Sequence, residues 1–173
     1  MISSQLSLAK ISSHKYCVLY PSLFGGFPDH SRVWIYQANR SLDGTESSYL
    51  KDELNTFLTD WAAHGKELQA GGELVFDRIL IVCVNESTVQ ASGCSIDSSV
   101  RFVKSIGQEL KLDFFDRLHL NLIVDDHLER IHISDLPKFP DSLLIDPMVA
   151  SLGQLRNQGI INVKDSALFA QLT

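Results

Sequence analysis

The chain has 173 residues and carries 15 Lys and Arg against 21 Asp and Glu, a formal net charge of −6. That length predicts a single domain, 1–173, large enough to bury a core without disulfide or metal staples. No Lys/Arg cluster marks a basic face and no apolar run approaches bilayer-spanning length, so neither nucleic acid nor a membrane is an expected partner. The cysteines are Cys17, Cys83 and Cys94; an odd count without a disulfide framework fits a reducing cytoplasm.

In chain order, Met1 to Phe24 has no continuous apolar segment that would read as a signal peptide. Tyr16 to Tyr20 reads as a short strand stopped by Pro21, and Phe24 to His30 as turn and loop. Val33 to Ala38 is aromatic and β-branched, a strand in which Trp34 and Tyr36 are expected to pack rather than to stack on a ligand. Glu46 to His64 predicts a helix with the stripe Leu50, Leu54, Phe57, Leu58 and Trp61, closed by Gly65. Two strands follow, Leu68 to Phe76 and Arg78 to Val84, with a tight turn near Asp77; Ile79 to Val84 is continuously apolar. A second helix, about Ile96 to Leu112, carries Ile96, Val100, Val103, Ile106 and Leu110 at helical spacing. The next strand is His119 to Val124.

This order, β-α-β-β-α-β, predicts a ferredoxin-like α+β core over about 32–124: an antiparallel sheet with two helices on one face. Residues 125–173 read as an extension. Leu128 to Ile133 is a strand candidate, and Pro137 and Pro140 bracket a turn. Asp146-Pro147 predicts the start of a helix running to about Asn157, with Gly159 after it. Ile160 to Val163 reads as an edge strand or as a segment that packs on a neighbouring subunit. An open sheet face needs a cover, which makes a homodimeric structural or interaction protein one expectation.

The chemistry concentrates in Gln90 to Val100, where a strand gives way to a helix through Ser92, Gly93, Cys94 and Ser95. Ser95 is the expected N-cap and Asp97 suits the positive end of the helix dipole. Gly93 allows a sharp bend or a close approach of backbone to ligand. Three readings stand together: a plain structural cap, a cradle for a small anion, and a thiol activated by the helix terminus. The topology places His30, Arg32, His64, Ser92 to Asp97 and Asp125 to His127 at one end of the sheet. Arg32, Ser92, Gly93, Ser95 and Asp97 are then candidate ligand-binding residues. Cys94 with His64 as base is a candidate catalytic pair, although His64 near a helix end reads more simply as a partner of the helix C-terminus. His127 and His132 face opposite sides of a strand, so no metal site is read there, and Asp125 to His127 reads as a solvated turn. Asp113, Asp116 and Arg117 read as a connection held by an ion pair. No Gly-x-Ser-x-Gly elbow occurs, and no cofactor is implied.

Ser31 to Arg40 (SRVWIYQANR), Trp61 to Gly65 (WAAHG), Ala91 to Asp97 (ASGCSID) and Phe114 to Arg117 (FFDR) together resemble an uncharacterised bacterial family. Its members are sometimes labelled ABC-transporter ATPases. The resemblance covers roughly Phe27 to Arg117, with a weaker echo around Asp165-Ser166, and implies no established activity. The glycine loop and lysine of a Walker A motif are missing, so the sequence lends the ATPase label no support.

Overall fold

The computed structural model describes residues 22–173; the strand expected at Tyr16 to Tyr20 lies outside the described residues. The chain divides into two compact units. One comprises Gly26–Asp116 with Ala150–Gly153; the other comprises, among the described residues, Ser22–Gly25, Arg117–Val149 and Gln154–Thr173.

The first unit contains β1 (Arg32–Gln37), α1 (Gly44–Asp60), β2 (Ala62–Ala63), β3 (Lys66–Glu67), β4 (Gln69–Val75), β5 (Ile79–Asn85) and α2 (Gly93–Leu110). It is an α+β arrangement whose main sheet is antiparallel, with the order β1-β5-β4. The apolar run at Ile79 takes the central place, and all seven residues of β5 are buried. Phe76 and Asp77, at φ 55 and 48, turn the chain from β4 into β5. Both helices pack on one face of the sheet: Leu50 and Leu54 of α1 and Val103 and Ile106 of α2 share a core with Tyr36, Leu74, Leu80, Val82 and Val84. The last three alternate along β5 with the two-residue period of a strand. Gly72 on β4 lies beneath α1, where an added Cβ would come within 2.8 Å of Leu54 Cδ2.

Two expectations are corrected. The first helix ends at Asp60, not His64, because Trp61 leaves the helical region (φ −74, ψ 120) and turns its ring into the core. His64 and Gly65, at φ 52 and 76, are instead the two-residue turn of the β2–β3 hairpin. Positive φ at both central positions is the geometry that matches strand twist in such loops.

The second difference concerns the fourth strand. It forms at His119–Val124 as expected, but it pairs in the sheet of the other unit, leaving three strands here. A two-residue turn gives it a full-length local partner, so the pairing closes only a very short loop. On the outer edge of β1 stands a segment from far downstream. Arg32 bridges Ser151, the Val33 N–H donates to the Ala150 carbonyl at 3.0 Å, and the Leu152 N–H donates to the Ser31 carbonyl at 2.8 Å.

The second unit contains β6 (His119–Val124), β7 (His127–His132), β8 (Leu143–Ile145), α3 (Leu152–Gln158, whose first residues count with the first unit), β9 (Ile160–Asn162) and α4 (Ala167–Leu172). Its antiparallel sheet has the order β7-β6-β8-β9, so β9 is the edge strand expected there. Leu120, Leu122, Leu136, Leu144 and Val163 form its core. Asp125 and Asp126, at φ 46 and 65, make the β6–β7 turn. The helix expected from Asp146-Pro147 begins only at Leu152, because the Asp146 carboxylate folds back to accept the Met148 N–H at 2.8 Å. That local bond offers the backbone a turn in place of a helix. Among the described residues no helix is long and apolar enough to cross a membrane.

Candidate functional site

The start of α2 is a closed capping box. Ser92, not Ser95, is the N-cap: its extended backbone (φ −87, ψ 166) precedes the helix, and its Oγ accepts the Ser95 N–H at 3.1 Å. Ser95 answers from the N3 position, its Oγ accepting the Ser92 N–H at 2.7 Å. A serine here fills the place that Glu or Gln usually takes. The Ile96 N–H makes the first helical bond, to the Ser92 carbonyl at 2.9 Å. Between these bonded groups lie the N–H groups of Gly93 and Cys94, the first two helical residues, which have no partner further back in the helix. Both residues are exposed, and the Cys94 thiol is free. Asp97 is exposed one turn on, and the Glu86 carboxylate accepts the Ala91 N–H at 3.0 Å. The first turn itself carries no acidic residue, contrary to the expectation for Asp97, because the helix begins at Gly93; the Glu86 carboxylate is the one bonded beside this positive end.

A chain of aromatic contacts links the β1 edge to this helix start. The Arg32 guanidinium lies over the Trp34 ring, 4.9 Å from its centre, rather than in a surface ion pair. Trp34 meets Trp61 edge-on at 6.1 Å, and the buried Trp61 Nε1–H donates to the Ser95 carbonyl at 2.8 Å. Phe57 joins the cluster, 5.2 Å from Trp61 and stacked on Phe102 at 4.6 Å. Arg32, Trp61, Ser92 and Ser95 thus belong to one assembly. His64 stays in its exposed hairpin turn and, among the described residues, no hydrogen bond joins it to Cys94. Asp125 to His127 belong to the other unit.

Sequence reasoning missed the polar network at the end of β5. His30 Nε2 lies 2.9 Å from Ser87 Oγ, which also donates to Asn85 Oδ1 at 2.6 Å. The Asn85 amide is fixed in turn by its Nδ2–H donating to Gln69 Oε1 at 2.6 Å. With the hydroxyl proton directed at Asn85, the imidazole serves as donor to Ser87, the wrong polarity for a serine nucleophile and its base. A buried Asn at the end of an apolar strand was the available signal.

The remaining quoted stretches meet at the other end of α2. Tyr36 contacts Phe115 edge-on at 5.6 Å, and burial pushes its phenol pKa up. Asn39 and Asp113 exchange bonds: the Asn39 N–H donates to the Asp113 carbonyl at 3.0 Å and the Asp113 N–H to Asn39 Oδ1 at 2.9 Å. The Asp113 carboxylate accepts the Phe115 N–H at 2.8 Å, so a local turn takes up the side chain expected to hold an ion pair. Arg40 forks onto Glu46 at 2.7 and 2.8 Å and also donates to the Leu110 carbonyl at 2.8 Å, capping the end of α2. An open cavity of about 170 Å³ lies here, lined by Lys104, Gly107, Phe114 and Phe115 among others.

Comparison with protein-family models, curated proteins and solved structures returned no match. Among the described residues, no group of three or more His, Cys, Asp or Glu side chains is arranged to hold a metal ion.

Proposed function

We propose that this chain is a cytosolic binding module for a small anion, held at the start of α2 by the backbone N–H groups of Gly93 and Cys94. The observation that carries this reading is the division of labour in the capping box. Ser92 and Ser95 satisfy each other, and the two exposed N–H groups between them are left to the dipole end of a long helix. Arg32, tied to the same assembly through Trp34 and Trp61, supplies the cation. We read the unit as a ferredoxin-like core in which Ala150 to Leu152 stands beside β1 where a fourth strand would pair.

Gly93→Pro tests the site. Proline fits the first helical position and the extended Ser92 before it, and a Cβ added at Gly93 meets no atom within 4 Å. The variant folds but lacks one N–H. Phosphate or sulfate raises the melting temperature of the natural chain, less that of Gly93→Pro, and leaves Cys94→Ser unaffected. Equal anion-induced shifts in the natural chain and Gly93→Pro reject the site.

The exposed, free Cys94 at the second helical position supports a second reading, a thiol-dependent enzyme with His64 as base. This reading requires alkylation of Cys94 with an apparent pKa well below the free-thiol value of about 8.5, rising in His64→Ala. Alkylation at the rate of a free thiol, unchanged in His64→Ala, rejects it.

A further inference from the structure

The open cavity at the end of α2 has an apolar floor and a charged rim, both within the Gly26–Asp116 unit. Helical spacing brings Lys104, Gly107 and Gln108 to one side of it, and the chain that follows the helix returns as the other side. Val103, Leu112 and Phe114 of the floor are buried, and Gly107 contributes backbone alone. The Phe115 ring is fixed from two directions: Tyr36 meets it edge-on at 5.6 Å, and the Lys104 ammonium stands 5.7 Å from its centre. Asp113 is fixed as well, by its two backbone bonds to Asn39 and by its Oδ1, which accepts the Phe115 N–H at 2.8 Å. The volume of about 170 Å³ is close to the roughly 150 Å³ of an apolar cavity that holds benzene. There is room for one ring or one branched aliphatic group.

The rim selects the ligand. Lys104 and Asp113 line the same cavity with opposite charges, yet among the described residues neither forms an ion pair with the other or with a third residue. The ammonium has only the Phe115 ring, the Gln108 amide has no hydrogen bond, and the second Asp113 oxygen accepts none. A plain anion entering here meets the Asp113 carboxylate, and a plain cation meets Lys104. A ligand carrying both charges satisfies both groups. We infer that the cavity binds a free α-amino acid with an aromatic or branched aliphatic side chain. The side chain rests on Leu112, Phe114 and Phe115. The carboxylate takes the Lys104 ammonium and the Gln108 amide, and the amino group donates to the open Asp113 oxygen. This inference is independent of the anion site, which lies at the other end of α2, so either can fail without the other.

The test titrates L-phenylalanine into the isotope-labelled full chain and follows backbone amide resonances. Saturable shifts are expected at Gly107 and Phe115, with the Gly93 signal unmoved. Phenethylamine and 3-phenylpropanoate each keep the ring and one of the two charges, and each binds about tenfold more weakly, the effect of losing one hydrogen bond to a charged group. Two variants assign the charges. Lys104→Met keeps an apolar stem, and Asp113→Asn keeps an oxygen for the Phe115 N–H. Each weakens L-phenylalanine binding about tenfold. Lys104→Met also removes the advantage of the amino acid over phenethylamine, and Asp113→Asn its advantage over 3-phenylpropanoate. Shifts that fail to saturate at millimolar L-phenylalanine, equal binding of the singly charged analogues, or natural affinity in both variants overturns the inference.

Discussion

Single side chains at the ends of the two long helices carry much of the first unit's wiring. The Arg40 guanidinium, with the Asp43 N–H, holds the Glu46 carboxyl at a pKa of about 2. A carboxyl depressed in the folded state stabilises it above its unfolded pKa of roughly 4.3, and that contribution fades as pH falls towards the folded value. The melting temperature of the natural chain therefore drops between about pH 4.5 and 2, and Glu46→Gln, less stable at neutral pH, loses less over that window. Thermal melts of both proteins across pH check this. Trp61→Phe keeps an aromatic ring in the cluster but removes the indole donor and part of the packed volume. The Ser95 carbonyl keeps the Ser98 hydroxyl at 2.7 Å, so the hydrogen-bond loss is about 1 kcal/mol and the lost packing adds to it, both read by chemical denaturation.

At the scale of elements, α2 is fastened at both ends. Ser92→Ala leaves the Ser95 N–H without its cap and costs about 1 kcal/mol. At the other end Lys111 adopts φ 54, and Gly107 lets the chain close beneath it: an added Cβ would stand 2.8 Å from the Leu112 carbonyl oxygen. Gly107→Ala forces a backbone shift and is expected to destabilise by about 1–3 kcal/mol, measured in the same denaturation experiment. These elements also show what could be read in advance. The continuous apolar run of β5 and the stripe through Val103 and Ile106 announce a buried strand and an amphipathic helix, and both form. The cap was expected at Ser95 and forms at Ser92, because the two serines satisfy each other from opposite ends of one box. The end of α1 was hidden because Trp61 lies on the helical stripe and still leaves the helix. The His30–Ser87 contact joins residues 57 apart, and Asn85 at the end of the β5 run was the one hint of it in the sequence.

For the whole molecule, the local rules predicted the elements better than their partners. The strand at His119 was read with its observed limits, yet it pairs with its own hairpin neighbour instead of β1. Periodicity reports which face of a strand is apolar and is silent about which edge will bind it. The edge of β1 is served by Ala150 to Leu152, whose leucine is fully buried. Leu152→Ala is expected to cost about 2–5 kcal/mol, and hydrogen exchange of the Val33 amide, bonded to Ala150, should rise with it. Unchanged protection at Val33 would show that the segment is incidental to the sheet.

That same pairing sets an order of events while the chain is being made. Everything else in the Gly26–Asp116 unit has been synthesised before the segment that covers β1 exists. At about 5–20 residues per second, synthesis from Asp116 to Leu152 takes on the order of seconds. Throughout that interval the nascent protein displays an unguarded β edge beside an aromatic cluster, and a chaperone has its clearest reason to hold it there.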